Sequence, residues 1–266
     1  MEKRDGHIHS PFCPHGSNDS LVDYIEQAIS KGFTSITFTE HAPLPHNFID
    51  PTPLKDSAMP ISMLETYFKE LSELKKMYAH KIKIQIGLEV DYIEGYENET
   101  KKFLDTYGPN LDDSILSVHF LKSEDKYFCL DFSPKMFEDL IVHVGSLDAV
   151  YHLYYETILK AITTNLGKYK PKRLGHLTLI NKFQRLFPQP ASYEVPYNTI
   201  FQAIKRNHIE LDVNVAGLRK ENCKETYPPI SIIEMAKKEN IPLVYGSDAH
   251  TGKDVGIDYH HVSSLL

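Results

Sequence analysis

The chain has 266 residues, 41% hydrophobic and 24% charged, and its 29 Lys and Arg against 36 Asp and Glu give a formal net charge of −7. These proportions exclude a disordered or collagen-like chain. No run of about 18 apolar residues offers a transmembrane helix, the residues MEKRDGHIHS hold no apolar run for a signal peptide, and the acidic balance supplies no footprint for long nucleic acid. Three cysteines (Cys13, Cys129 and Cys223), odd in number and without paired spacing, argue against a disulfide framework and for a reducing cytoplasm.

Residues 4–9 read as a first short strand. Asn18 or Asp19 is placed to cap a helix over 21–31, with Gly32 where a helix C-terminal glycine belongs. The β-branched and aromatic run SITFTEH, residues 35–41, is the second strand. A long loop with Pro43, Pro45, Pro51, Pro53 and Pro60 follows, and its length suits a segment that covers a site. Ser62 and Glu65 form the pattern of a capping box for a helix to about residue 79. The third strand spans 81–92, a short helix 97–106, and the fourth strand 114–121. Residues 127–132 read as an added short strand, and Ser133 with Pro134 starts another helix. A long helix over 147–166 ends at Gly167, and RLGHLTLI, 173–180, is the fifth strand. A helix over 197–207, a sixth strand over 209–215, a helix boxed by Ser231 and Glu234, and a seventh strand over 242–250 complete the pattern. Parallel strands need crossover connections. Seven strand-then-helix units in a chain of this length fit a barrel better than an open sheet, so one α/β barrel domain over residues 1–266 is expected.

The C-terminal strand ends carry the chemistry. In chain order they hold His7 and His9; Glu40 and His41; Glu89 and Asp91; His119; His176; Asp212 and Asn214; and Asp248 and His250. Barrel enzymes keep their active sites at this face, and residues i and i+2 of a strand point to one side. His7 with His9, Glu89 with Asp91, and Asp248 with His250 can each aim two ligands into the mouth, and His15 can fold back from the loop after the first strand. Imidazoles with carboxylates suit zinc, iron or manganese, and the lack of thiolates among them argues against a closed structural zinc site. The set is too large for one ion and fits two or three, with a shared carboxylate as bridge. Glu40 and Asp91 are candidates to orient histidines. His46, His80, His143, His152, His208, His260 and His261 form no such constellation, and Tyr151, Tyr154, Tyr155 and Ile158 at helical spacing read as packing.

These motifs, from DGHIH to SDAH across essentially the whole chain, resemble the PHP (polymerase and histidinol phosphatase) superfamily. The resemblance implies a distorted (β/α)7 TIM-like barrel holding up to three divalent ions. Carried over by position, His7, His9, Glu89 and Asp248 would surround the first ion, and His15, His41 and His250 the second. Glu89 would bridge to a third held by His119 and His176. The segments LEVDY, SVHFL with LDF, LGHLTLI and NVAGLRK further resemble the single-domain histidinol phosphatases. Val215 departs from the hydroxyl residue expected there, which preserves a backbone role for that position and no side-chain hydrogen bond.

The resemblance thus implies hydrolysis of a phosphate monoester, L-histidinol phosphate first, by attack of a metal-bridging hydroxide. The rivals are another small phosphate ester or short nucleotide, and a metal-binding domain without turnover. Arg219 is the first candidate to grip the phosphate, since a guanidinium fork matches two oxygens; Arg185 and Lys182 are the others. Asp248 and His250 are the candidates to handle the leaving-group proton. Glu124 or Asp131 could complement the amine and imidazole of the substrate. A small-molecule substrate is expected, with no nucleic acid or membrane partner; oligomeric state is left open.

Overall fold

The computed structural model describes residues 3–266. Seven strands form one parallel sheet: β1 (Arg4–Ile8), β2 (Ser35–His41), β3 (Lys83–Asp91), β4 (Ile115–Ser117), β7 (Arg173–Leu174), β8 (Glu210–Asn214) and β9 (Leu243–Gly246), neighbours in that order. A short antiparallel hairpin, β5 (Phe120–Ser123) with β6 (Lys126–Cys129), stands apart from it. The sheet curls until its ends meet. Asp248 donates its N–H to His7 O at 2.8 Å and His9 to Ala249 O at 2.9 Å, beside a parallel bridge between Ile8 and Ala249. The result is the expected distorted (β/α)7 barrel.

Helices α1 (Leu21–Ser30), α2 (Leu64–Met77), α3 (Glu97–Tyr107), α4 (Pro134–Val144), α5 (Leu147–Thr163), α6 (Tyr197–Arg206), α7 (Ala216–Arg219) and α8 (Ile230–Lys238) lie between the strands. Each of the longer ones turns an apolar stripe inward; in α1 the buried residues are Leu21, Tyr24, Ile25 and Ala28, at helical spacing. In α5 Tyr151, Tyr154, Tyr155 and Ile158 are buried, as packing requires, and two of their hydroxyls do more. Tyr154 donates to Leu177 O at 3.1 Å and Tyr151 to Asn181 Oδ1 at 3.0 Å, which pins the segment carrying His176.

The caps differ from expectation in an instructive way. Ser20, not Asn18 or Asp19, caps α1, and Asp23 completes the box by accepting from Ser20 N–H at 2.7 Å. Neither expected capping box forms. Ser62 lies inside a 3-10 turn (Ile61–Met63) and α2 starts at Leu64 without a side-chain cap. Pro229 is the N-cap of α8, so Ser231 is already inside the helix. A capping hydroxyl must stand just outside the helix, and tertiary packing sets where each helix starts.

Three strands stop early, always at the site-bearing end. β4 ends at Ser117 rather than 121, and the chain swings out into the hairpin. β7 has two residues rather than eight, followed by a 3-10 turn (Leu179–Phe183). Gly175, next in the chain, is forced by close approach: a Cβ there would lie 2.2 Å from Ser117 Oγ. β9 ends at Gly246, and Ser247–His250 continue as loop. At the opposite end Arg173 is fully buried, 2.5 Å from Asp113 and donating to Gly6 O at 2.8 Å. Among the described residues no helix is long and apolar enough to cross a membrane.

Candidate metal centre

Strand register assembles the site around Glu89. His41 of β2 pairs with Glu89 of β3, which places the imidazole Nδ1 3.1 Å from Glu89 Oε2. The i, i+2 spacing on β1 turns His7 and His9 to the same carboxylate oxygen, each Nε2 3.5 Å away. The other oxygen, Oε1, accepts from Ser117 Oγ at 2.6 Å and His176 Nε2 at 2.9 Å, with His119 Nε2 at 3.7 Å. One buried carboxylate thus faces two groups of histidines, one per oxygen, as a bridging ligand would. Asp248 closes the arrangement, its Oδ1 3.2 Å from His9 Nε2 and 3.8 Å from His7 Nε2. It holds a left-handed φ of 53°, a conformation that costs most residues energy and that recurs at functional sites.

A second tier of carboxylates grips the outward ring nitrogens. Asp212 Oδ2 lies 2.8 Å from His7 Nδ1, Asp91 Oδ1 2.8 Å from His119 Nδ1, and Glu40 Oε1 3.3 Å from His9 Nδ1. Such partners fix the tautomer, leaving each Nε2 lone pair free to point inward. Glu40 is held in turn by Ser10, through N–H at 3.0 Å and the hydroxyl.

Among the described residues, the buried nitrogens His7 Nε2, His9 Nε2, His41 Nδ1 and His176 Nδ1 find no hydrogen-bond partner. Buried polar atoms left unpaired are costly and require an explanation. For His7, His9 and His41 these nitrogens face Glu89 Oε2 at 3.1–3.5 Å without hydrogen-bond geometry, which is how donor atoms converge on a cation. Among the described residues, three sets have ligand atoms mutually within 4.8 Å: His7, His9 and Glu89; Glu89, His119 and His176; and His9, Cys13, His41 and His250. The residues present therefore fit divalent metal ions.

The electrostatics agree. Burial opposes the charged form of His7, yet the carboxylates of Asp212, Glu89 and Asp248 hold its pKa well above the usual value. Against the same burial, Asp248 and Glu40 push His9 up to about 9, and Asp91 with Glu89 pushes His119 up to about 10. Burial likewise opposes ionisation of Glu89 and Asp248, but the histidines hold both well below the carboxylate range. Burial and then the charge on His9 hold His41 and His250 well below the ordinary imidazole value. A metal-free site therefore carries protons where a loaded one carries cations.

The site opens into a cavity of about 470 Å³. Lys182, Arg219 and Lys220 line it, together with Asp131, Phe132, Tyr227 and, from the proline-rich loop, Thr52, Asp56 and Ser57. That loop, expected to cover the site, contributes these residues to the cavity wall. Arg219 is anchored by donating from Nη2 to Ser247 O at 2.9 Å, and Lys182 pairs with Asp131 at 2.8 Å. Arg185 is a correction: it is exposed and does not line the cavity, because the 3-10 turn carries it away. Glu124, at the hairpin tip, is also outside the lining. His15 does reach the site, its ring centroid 5.2 Å from that of His250 and 5.4 Å from that of His41, with Nδ1 3.2 Å from Asp56 O.

Sequence reasoning gave no role to three residues. Asp212 was visible as a strand-end carboxylate, but only closure of the barrel, which brings β8 within reach of β1 past β9, reveals its histidine. Lys220 follows Arg219 in the short helix α7, which no propensity signalled; Asn214 Oδ1 starts it by accepting Ala216 N–H at 2.9 Å. Cys13 stands among the histidines, so the site is not free of sulfur. Val215 is buried and donates its N–H to Gly246 O at 3.0 Å, so that position serves through its backbone.

Residues 5–216 match the PHP domain family. The chain is 55% identical over 261 residues to the histidinol-phosphatase of Bacillus subtilis, covering 97% of each. A crystal structure from Listeria monocytogenes, described as a candidate histidinol phosphatase, is 38% identical with a TM-score of 0.92 over 97% of this chain and 99% of that one. The Lactococcus lactis histidinol phosphate phosphatase, solved with zinc, L-histidinol and phosphate, is 21% identical with a TM-score of 0.71, covering 99% and 92% of the two chains, a likeness of fold. The family match over most of the length and the donor sets gathered on Glu89 agree, and the chain belongs to the PHP family.

Proposed function

We propose that this chain is, as one domain, a metal-dependent phosphate monoester hydrolase that converts L-histidinol phosphate to L-histidinol and phosphate. The observation that carries the reading is the convergence of buried imidazoles and carboxylates on Glu89 beneath a mouth lined by Lys182, Arg219 and Lys220. The near full-length likeness to the Bacillus subtilis histidinol-phosphatase supports the choice of substrate. The net charge of −7 favours a small ester over long nucleic acid, and three free cysteines suit a reducing cytoplasm.

His7, His9, Glu89 and Asp248 would hold one ion, His41 and His250 with His15 a second, and Glu89, His119 and His176 a third, from among zinc, iron and manganese. Ions bound there would lower the pKa of water to about 7 and polarise the phosphoryl oxygens. Asp212, Glu40 and Asp91 keep the imidazoles aimed and neutral at the inward nitrogen. Arg219, braced on Ser247 O, and Lys182, braced on Asp131, present positive charge where the equatorial phosphate oxygens gain negative charge.

Asp248 and His250, expected to handle the leaving-group proton, are poorly placed to store one. Asp248 is held ionised, with Oδ2 accepting from Asn214 at 3.1 Å, and His250 is held unprotonated with Nδ1 against Asp248 O at 3.1 Å. Lys220, which lines the cavity without an assigned partner role in the donor sets, is the cavity residue we assign to protonating the departing alkoxide.

The test is phosphate release from L-histidinol phosphate and from a generic aryl phosphate. Protein is assayed as purified, after chelation, and after reloading with Mn²⁺, Zn²⁺ or Fe²⁺. Metal-dependent release well above that from the aryl ester is expected. Equal rates on both esters would discard histidinol phosphate, and no release with any metal would discard the phosphatase.

A further inference from the structure

The proline-rich loop between β2 and α2 folds around one of its own aspartates and docks on the metal centre. Asp50 is buried, and its two carboxylate oxygens accept from Thr52 N–H at 2.8 Å and Ser57 N–H at 3.1 Å. The hydroxyls of the same two residues lie 3.3 Å apart, so residues 50–57 close into one braced unit. Two contacts fix this unit against metal ligands: Asp56 O lies 3.2 Å from His15 Nδ1, and Met59 N–H donates to His41 O at 3.2 Å. The main chain of Asp56 is thereby held beside the second metal position while the residue lines the cavity. Among the described residues, no cation or hydrogen-bond donor pairs with its carboxylate. The other cavity carboxylates outside the proposed metal ligands are already matched. Asp91 faces His119 Nδ1 and Asp131 faces Lys182, each at 2.8 Å. Asp254 acts on Lys31, whose ammonium donates to the carbonyls on either side of it, Lys253 O at 3.3 Å and Val255 O at 2.6 Å.

We propose that Asp56 is the residue that selects the substrate, by accepting a hydrogen bond from the ammonium of L-histidinol phosphate. This rests on the phosphatase reading above and names the residue that gives it specificity. In that ester the ammonium stands on the carbon next to the one bearing the phosphate oxygen. A phosphate seated on the metal ions therefore holds the ammonium only a few bonds away, at the rim of the metal centre. Asp56 stands at that rim through its main-chain contact with His15. Lys182, Arg219 and Lys220 attract the phosphate and repel an ammonium, so the cavity is charged for a ligand that is anionic at one end and cationic close by. The carboxylates first expected to meet that cation do not suit it: Glu124 is outside the cavity and Asp131 is held by Lys182. An ester without the ammonium would cover Asp56 and leave it unpaired, which is how a polar site rejects an analogue.

The experiment uses the full metal-loaded chain, unaltered and as Asp56→Asn and Asp254→Asn. Each is assayed on L-histidinol phosphate and on imidazolylpropyl phosphate, the same ester without the amine. The quantity read is the ratio of kcat/KM for the first ester to that for the second. Asp56→Asn is expected to lower this ratio by about 10–100-fold, the scale of a hydrogen bond to a charged group, and Asp254→Asn to leave it within about twofold. The ratio is insensitive to a fraction of misfolded protein, which lowers both rates alike. An unchanged ratio in Asp56→Asn, whether both rates hold or both fall together, overturns the proposal and leaves the loop as a brace for His15. A ratio that falls in Asp254→Asn instead also overturns it and moves the ammonium to that carboxylate. Equal kcat/KM on the two esters in the unaltered chain overturns the assignment and leaves the phosphatase standing. No phosphate release from either ester with any metal overturns both.

Discussion

Asp212→Asn isolates how much the carboxylates behind the histidines contribute. Asp212 is fully buried, with Oδ2 2.8 Å from His7 Nδ1, 3.2 Å from Asn214 Nδ2 and 3.4 Å from the His176 N–H. Asparagine is nearly isosteric, and its carbonyl oxygen can still accept all three contacts. What disappears is the negative charge that makes His7 a strong ligand. Removing such a partner weakens metal binding by about 10–100-fold, which at about 1.36 kcal/mol per decade is about 1.4–2.7 kcal/mol. The new NH2 takes the place of Oδ1, which is buried without a partner. An unsatisfied donor there costs about 1–3 kcal/mol of folding stability. The two effects separate: chelator competition reads metal affinity, and denaturant unfolding of stripped protein reads stability. The expected result is a lower affinity for one ion and a phosphatase rate recovered by excess metal. Unchanged metal retention in folded Asp212→Asn would refute the reasoning, because the short contact to His7 would then be packing alone.

Stripped protein should be most stable near pH 6.5. His7, His9 and His119 have folded pKa values above the unfolded one, so their contribution is fully present below about 6.5. It is lost as pH rises through the folded values of about 9 for His9 and about 10 for His119. His41 and His250 act oppositely and subtract stability as pH falls below about 6.5. Denaturation midpoints across pH 5 to 10 test this, and a flat profile in stripped protein would contradict it. Metal loading at neutral pH should also release protons into a weak buffer. Arg219→Ala should lower kcat/KM by about 10²-fold or more, the scale of losing one charge-stabilising donor. Arg185→Ala should stay within about twofold, as an exposed residue outside the cavity does; similar losses in both would mean that the loop bearing Arg185 folds over the substrate.

Much of the site was legible because strand geometry is local. The i, i+2 spacing of His7 with His9 and of Glu89 with Asp91 fixes a common face wherever the strand pairs, and a βα pattern repeated seven times fixes which end those faces share. The two unformed capping boxes, at Ser62 and Ser231, show where local reading stops. Their letters are right, but packing starts each helix elsewhere. The short β4, β7 and β9 show the same limit, since their extended sequences leave the ladder where side chains must turn toward the cavity.

The sequence by itself determined the barrel, the donor-bearing strand ends and the chemical type of the ligands, since each follows from a period or a residue type. Only the tertiary structure decided the partnerships across the barrel. Asp212 reaches His7 from 205 positions away, Arg219 lodges on Ser247 while Arg185 faces solvent, and Cys13 enters the cluster because two turns fold its loop inward. Such pairings are set by strand order and loop closure, which bring distant residues to one point and leave no local trace in the residues they join.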